Sequence, residues 1–260
     1  MIPPKHNIST DGQKAPKVVV LMGGPDEEHA ISIKSGNAVL GALKQAGVPA
    51  DGIELGRDGL WYYRDETVKT AGRALDNLKR DYDVAFLALH GKTGEGGIVQ
   101  GVLELIGMPY TGSDSVASCL AMNKAVSRVL YKEAGIPVAP GTVIRPDDAR
   151  SPSQIAASLV GSLGLPLFSK PLDSGSSYGV RIEKDVDSLA KRLSSARKIG
   201  QLLLVEQSVA GPEYTVAVLE GDDGLNPLPP ILIRPKDGSE FFTLEIKYAP
   251  DRVEEICPAP

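Results

Sequence analysis

The chain has 260 residues and a formal net charge of −5, with 42% hydrophobic, 23% charged and 5% aromatic residues. At roughly 150 residues per domain that length holds two or three compact units, and the ordinary balance excludes a disordered or fibrous chain. The acidic balance also excludes the concentrated basic surface that nucleic-acid backbones require, although single basic residues can still meet small phosphates.

In chain order, residues 1–16 read as a disordered tail. They carry Lys5, Asp11 and Lys14 and lack the apolar stretch of a secretory signal. No run elsewhere approaches the ~18 apolar residues of a membrane span, so the expectation is a cytoplasmic protein with no membrane partner. Lys17 to Met22 (KVVVLM) is an aliphatic run stopped by Gly23-Gly24-Pro25, the pattern of a buried parallel strand. Ile31 to Ala46 repeats apolar residues at helical spacing and is stopped by Gly47. Asp83 to Leu89 predicts a second buried strand, followed by the loop His90 to Gly97 and a helix Ile98 to Ile106. This recurring strand, loop and helix predicts an open parallel α/β sheet over residues 17–115.

A helix is predicted from Asp114 to Ala134, then extended chain from Pro137 to Ile144. Leu167–Lys170, Tyr178–Glu183 and Leu202–Glu206 read as strands around a helix Val186–Arg197, and two further strands are expected at Glu213–Leu219 and Pro230–Pro235. The expected units are therefore 17–115, a small central domain 116–210, and a last part 211–260. Cys119 and Cys257 are far apart with no CxxC pair, so both read as plain thiols.

Lys170 stands at a strand end and opens a Gly/Ser hairpin, Asp173-Ser174-Gly175-Ser176-Ser177-Tyr178-Gly179. Such a loop can close its N–H groups over a polyphosphate while the lysine acts as a point charge. A surface hairpin with a solvated lysine is the rival reading. The next apolar strand exits at Glu206 and runs on to Val209, offering a carboxylate and exposed backbone to an adenine edge, and Glu213 could hold ribose hydroxyls. With Lys124, this order of lysine, loop, hinge and acid resembles the nucleotide half of an ATP-grasp enzyme.

Within that class the chain resembles the D-alanine:D-alanine ligase family from about Lys17 to Pro258. The resemblance rests on Gly23-Gly24 with Glu28 and Ser32, Leu89-His90-Gly91 with Glu95 and Gly97, and Pro109 to Ser113. It continues through Met122-Asn123-Lys124, Gly175-Ser176-Ser177, Gly211 to Val216, Lys247-Tyr248 and Cys257-Pro258-Ala259. It implies an α/β fold, α+β in the ATP-grasp part, with an N-terminal substrate domain followed by central and C-terminal ATP-grasp domains. It further implies ATP-dependent joining of two D-alanines through an acyl phosphate, for peptidoglycan.

By the same resemblance Glu28 holds the ammonium of the first D-alanine, His90 orients its carboxylate, and Gly23, Gly24 and Ser32 line its site. A solvated loop acid and a structural histidine are the alternatives for Glu28 and His90. Lys124, Lys170, Ser177, Glu206, Val209 and Glu213 bind ATP, and Lys247 reaches the transferring phosphoryl group. Tyr248, Ser176 and Glu28 form the catalytic set that closes the flap, and Tyr248 marks D-alanine as second substrate.

The chain departs from the family pattern at Asn123, where Asp is commoner, at Ser174, commonly Glu, and at Ser208, often aromatic. The family also carries a later arginine and a Glu-x-Asn set for Mg²⁺, and no Glu-x-Asn occurs here. The sequence reading therefore expects a C-terminally truncated ligase with its Mg²⁺ ligands downstream of Pro260 and an inactive 260-residue chain. Two alternatives stand beside it: a ligase with another acceptor, and a non-catalytic nucleotide- or amino-acid-binding protein. The assembly state is left open, a homodimer included.

Overall fold

In a computed structural model, residues 15–63, 65, 67–236 and 250–260 are described. Residues 1–14 of the expected tail, and Lys247 and Tyr248, lie outside the described residues. The chain divides into two compact units between Leu120 and Ala121.

The first unit is built on β1 (Val18–Gly23), α1 (His29–Gln45), β2 (Ala50–Leu55), β3 (Leu60–Tyr63), β4 (Val68–Thr70), α2 (Ala71–Asp81) and β5 (Val84–Leu87). Its sheet has the order β4-β3-β2-β1-β5. β1 runs parallel to β2 and β5, as the aliphatic runs predict, while β3 and β4 extend the sheet antiparallel. Every residue of β1 is buried. Its side chains alternate between faces: Val18, Val20 and Met22 meet Leu40 of α1, while Val19 and Leu21 join a cluster with Ala74 and Leu78 of α2. Helices on both faces leave no room for polar groups along β1, so chemistry is displaced to its carboxyl end. There the loop His90–Gly97 contains a short helix α3 (Gly91–Glu95), followed by α4 (Ile98–Leu105) and α5 (Ser115–Met122).

The predicted helix from Asp114 to Ala134 is two helices, α5 and α6 (Lys124–Glu133). Asn123 breaks it. Its backbone is extended, and its side chain accepts hydrogen bonds from the N–H groups of Ala125 and Val126, capping α6 and replacing continuation of α5.

The second unit holds β6 (Gly141–Ile144), α7 (Pro152–Leu163), β7 (Leu167–Pro171), β8 (Arg181–Glu183), α8 (Val186–Lys198) and β9 (Leu203–Gln207). The sheet order is β6-β9-β7-β8, and every pairing in it is antiparallel. Helices α7 and α8 cover one face, where Ile155, Leu159, Leu189 and Leu193 pack on Leu167, Leu203 and Val205. The expected strand Glu213–Leu219 is divided into β10 (Glu213–Thr215) and β11 (Val218–Gly221). β11 pairs with β12 (Gly224–Pro227), whereas β10 joins β13 (Ile231–Pro235) and β14 (Val253–Ile256). No helix among the described residues is long and apolar enough to cross a membrane.

Two buried features of the first unit carry testable consequences. A Cβ added at Gly36 on α1 would lie 2.7 Å from Met22 Cβ and 2.8 Å from its sulfur. The better helix propensity of alanine is worth about 1 kcal/mol, while overpacking against an atom that cannot rotate away costs about 1–3 kcal/mol, so Gly36→Ala is expected to destabilise. A lowered denaturant midpoint at unchanged slope is the signature.

Ser32, fully buried, accepts the Gly23 N–H at 2.8 Å and donates to the Ala88 carbonyl at 2.8 Å. Ser32→Ala leaves both backbone groups unsatisfied and is expected to cost about 2 kcal/mol, read in the same denaturation experiment.

Candidate functional site

Two groups of side chains, one in each unit, stand at the positions that the sequence singled out. In the first unit β1 lies between β2 and β5. The chain leaves β1 for α1 on one face and reaches β5 through α2 on the other, so the crevice beyond the carboxyl ends of β1 and β5 is a switch point of the sheet. Gly23 and Gly24 sit there with φ of +86° and +95°, a backbone that a side chain would strain. A Cβ at Gly23 would also lie 2.7 Å from the Leu55 carbonyl oxygen.

Glu28 immediately precedes α1 and is 7% exposed. His90 follows β5, with Nε2 3.1 Å from Ser35 Oγ on α1. Asp26 accepts the Thr93 N–H at 2.8 Å, and Glu95 accepts the Gly91 N–H at 2.9 Å, fixing the two loops to one another and to themselves. The first unit therefore brings Gly23, Gly24, Glu28, Ser32 and His90 to one end of the sheet. A carboxylate and an imidazole there suit an ammonium and a carboxylate, the two ends of an amino acid.

Sequence reasoning missed His29. Its Nδ1 is 2.6 Å from the Gly24 carbonyl, and its Nε2 is 3.2 Å from Glu54 Oε1 on β2, so it braces the glycine turn. Nothing in the local pattern marks it, because Glu54 is brought near only by the parallel pairing of β1 and β2.

The second group follows from strand alternation. On β7 and β9, Leu167, Leu203 and Val205 face the helices, so Phe168, Lys170, Leu204 and Glu206 point to the opposite face. The register sets Phe168 opposite Glu206 and Lys170 opposite Leu204, which makes Lys170 and Glu206 diagonal neighbours. Their side chains form an ion pair. Arg128 of α6 donates from Nη1 to the other Glu206 oxygen at 2.7 Å and from Nη2 to the Ala139 carbonyl.

Lys124 lies one helical turn before Arg128. Its backbone N–H donates to the Leu172 carbonyl at 3.0 Å and its ammonium to the Ser174 carbonyl at 2.5 Å. Burial lowers the Lys124 pKa, and the neighbouring Lys170 charge lowers it further. Lys124, Lys170 and Glu206 are thus brought together on one face. Both Glu206 carboxylate oxygens, read from sequence as available to adenine, are already engaged by cations. Arg128 was missed, although its spacing of four from Lys124 is the helical signal that could have found it.

The loop between β7 and β8 carries Ser176 and Ser177 at φ of +46° and +58°. Ser174 Oγ donates to the Tyr178 carbonyl at 3.0 Å, and Arg192 of α8 donates to the Gly179 carbonyl at 2.8 Å, anchoring the far end of the loop. Arg192 also escaped the sequence reading. Val209, 70% exposed, follows β9, and Glu213 opens β10 with its residue exposed.

Known proteins match this arrangement along nearly its whole length. A family model described as D-ala D-ala ligase N-terminus matches residues 17–113, and one described as D-ala D-ala ligase C-terminus matches residues 130–260. The D-alanine–D-alanine ligase of Alkalilimnicola ehrlichii is 39% identical over 244 residues, which are 94% of this chain and 69% of that protein. Among solved structures, the D-alanine–D-alanine ligase of Bacillus anthracis complexed with ATP superposes with a TM-score of 0.70 at 28% identity, covering 93% of this chain and 70% of that one. The VanG D-Ala:D-Ser ligase of Enterococcus faecalis gives 0.74 at 26% identity, covering 95% and 77%. With both family models matched and that level of identity, the chain belongs to the D-alanine–D-alanine ligase family.

Proposed function

We propose that this chain is an ATP-dependent, ADP-forming ligase that joins two D-alanines into D-alanyl-D-alanine for peptidoglycan, working in the cytoplasm on soluble substrates. Beyond family membership, one observation carries the nucleotide half of this reading. Lys124, Arg128 and Lys170 converge beside a Gly/Ser loop with two carboxylates, Glu206 and, near Lys124, Asp173. A half-buried group with more cations than anions is an anion site, and a polyphosphate has the charge and length to span it.

In this reading the γ-phosphoryl group of ATP passes to the carboxylate of the first D-alanine, giving an acyl phosphate and ADP. The amine of the second D-alanine attacks the acyl carbon, the C–O bond to phosphate breaks, and phosphate leaves as the amine loses a proton. Lys124 and Lys170 offset phosphate charge, Ser176 and Ser177 place the loop backbone over the phosphates, and Glu206 to Val209 with Glu213 receives the nucleoside. Lys247 assists at the transferring group. Glu28 holds the ammonium of the first D-alanine and His90 its carboxylate, at the turn shaped by Gly23, Gly24 and Ser32. Tyr248 sets the choice of acceptor.

Mg²⁺ accompanies ATP in this chemistry by neutralising the β- and γ-phosphates. Among the described residues no three or more His, Cys, Asp or Glu side chains converge as a metal site. No described residue is therefore assigned to the ion. The working units are 17–115 for the amino acid, with 116–210 and 211–260 for the nucleotide, and a homodimer is a compatible assembly.

A second reading, the same chemistry with a different acceptor, draws support from the likeness to a D-Ala:D-Ser ligase. Phosphate release compared across D-alanine, D-serine and D-lactate separates the two, and D-alanine is expected to give the highest rate. For the nucleotide assignment, Lys124→Ala and Lys170→Ala are each expected to weaken ATP binding about tenfold or more by calorimetry, since each removes a charged donor. Unchanged affinity in both variants removes it.

A further inference from the structure

Glu206 is 9% exposed and carries a charge that must be balanced where it stands. Its two oxygens are held separately, one by Arg128 and one by Lys170. The two cations differ in kind. The guanidinium of Arg128 is a planar fork fixed at both tines, one on Glu206 and one on the Ala139 carbonyl. The ammonium of Lys170 ends a flexible four-carbon stem and can turn to another anion. If Lys170 were to leave Glu206 for a phosphate with no second cation at the carboxylate, the departure would strand a buried charge. The phosphate would then compete with Glu206 for the lysine.

We propose that Arg128 is the resident counter-ion of Glu206, a positioning residue that leaves the Lys170 ammonium available to the polyphosphate of ATP. The proposal rests on the nucleotide reading above and deepens it. Arg128 acts without touching phosphate: it neutralises the carboxylate, so that the charges of Lys170 and Lys124 face the ligand. Lys124 belongs to the same arrangement, because α6 carries it one turn before Arg128 and ties it to the loop through Ser174.

The counter-ion role makes the effect of Arg128 depend on the charge at 206, which a purely structural role does not. Calorimetric affinities for ATP and adenosine are to be measured on the full chain carrying Arg128→Met, Glu206→Gln, both together, or Lys170→Ala. Arg128→Met is expected to weaken ATP about tenfold and adenosine less than about twofold, because adenosine has no phosphate to lose. In the Glu206→Gln background the same substitution is expected to change ATP affinity less than about twofold, the cycle subtracting whatever Glu206 gives to the base.

Equal losses in both backgrounds, equal losses for adenosine and ATP, or no loss at all overturns the proposal. Should Arg128→Met fail to fold, the double variant compared with Glu206→Gln carries the test: matching affinities support it, and a further loss of about tenfold overturns it. Lys170→Ala separates the two levels of inference. If it leaves ATP affinity unchanged, Lys170 does not meet the polyphosphate and this proposal fails, and the nucleotide reading fails with it when Lys124→Ala is silent as well. If it weakens ATP while Arg128→Met does not, the counter-ion role alone is wrong.

Discussion

Side chains on a strand alternate between two faces, and in both units the position of the polar groups follows from which faces the helices occupy. β1 is covered on both sides, with Val18, Val20 and Met22 against α1 and Val19 and Leu21 against the cluster that includes α2. An ionised side chain on that strand would be buried without water. Its polar neighbours therefore stand beyond its end, where the glycine turn leaves the sheet. In the second unit α7 and α8 cover one face only. The other face can carry Lys170 and Glu206, two residues whose places on neighbouring strands make them diagonal partners.

The backbone adds a second constraint, met differently in the two units. Gly23 and Gly24 take positive φ at no steric cost, whereas Ser176 and Ser177 take it in spite of their Cβ atoms. A left-handed conformation outside glycine costs about 1–2 kcal/mol per residue, so the loop needs contacts that hold it. Such contacts lie both at its flanks, with Lys124 on Ser174, Ser174 on Tyr178 and Arg192 on Gly179, and within it, where the Tyr178 N–H donates to the Gly175 carbonyl and the Val180 N–H to the Ser177 carbonyl. The lysine proposed to meet phosphate is thus also one of the groups that hold the strained turn, and the loop conformation and local charge are linked through one side chain.

The aliphatic runs KVVVLM, DVAFLAL and LLLVE were legible as strands because burial on both faces, or on one face and a strand end, selects β-branched and aliphatic residues continuously. Lys170 and Glu206 were legible as a candidate pair because a lysine at a strand end, a Gly/Ser turn and an acid at the next strand exit keep a fixed order, and Lys124 joined them through the ATP-grasp resemblance. Other features depend on partners distant in sequence. The antiparallel edge β3–β4 is short, and Trp61, its buried residue, packs against a core supplied by other segments.

The break at Asn123 is a competition between helix continuation and a side-chain cap, and composition favoured continuation across Ala121 to Ala125. Helix α7 was readable and went unread: Ser151 and Gln154 form a capping box around Pro152. The division of β10 from β11 needs knowledge of which strand each one pairs with, and residues 213–219 do not contain it.

Why an ion set occupies this face, in place of apolar packing, bears on how the chain works. Buried ion pairs seldom stabilise a fold more than apolar residues of the same volume would, because each charge loses its water. Arg128, Glu206 and Lys170 nevertheless occupy space that three elements shape around them. Gly141 of β6 stands opposite Glu206, and a Cβ there would lie 2.5 Å from Glu206 Cβ. Two residues earlier, the Ala139 carbonyl receives Arg128. The entry to β6 thus supplies both the room for the carboxylate and the second acceptor for the guanidinium. A larger side chain at 141 would push Glu206 off the line between its two cations even if all three charged residues were kept. Stability alone does not require such a fit. Holding one carboxylate between a fixed cation and a movable one does.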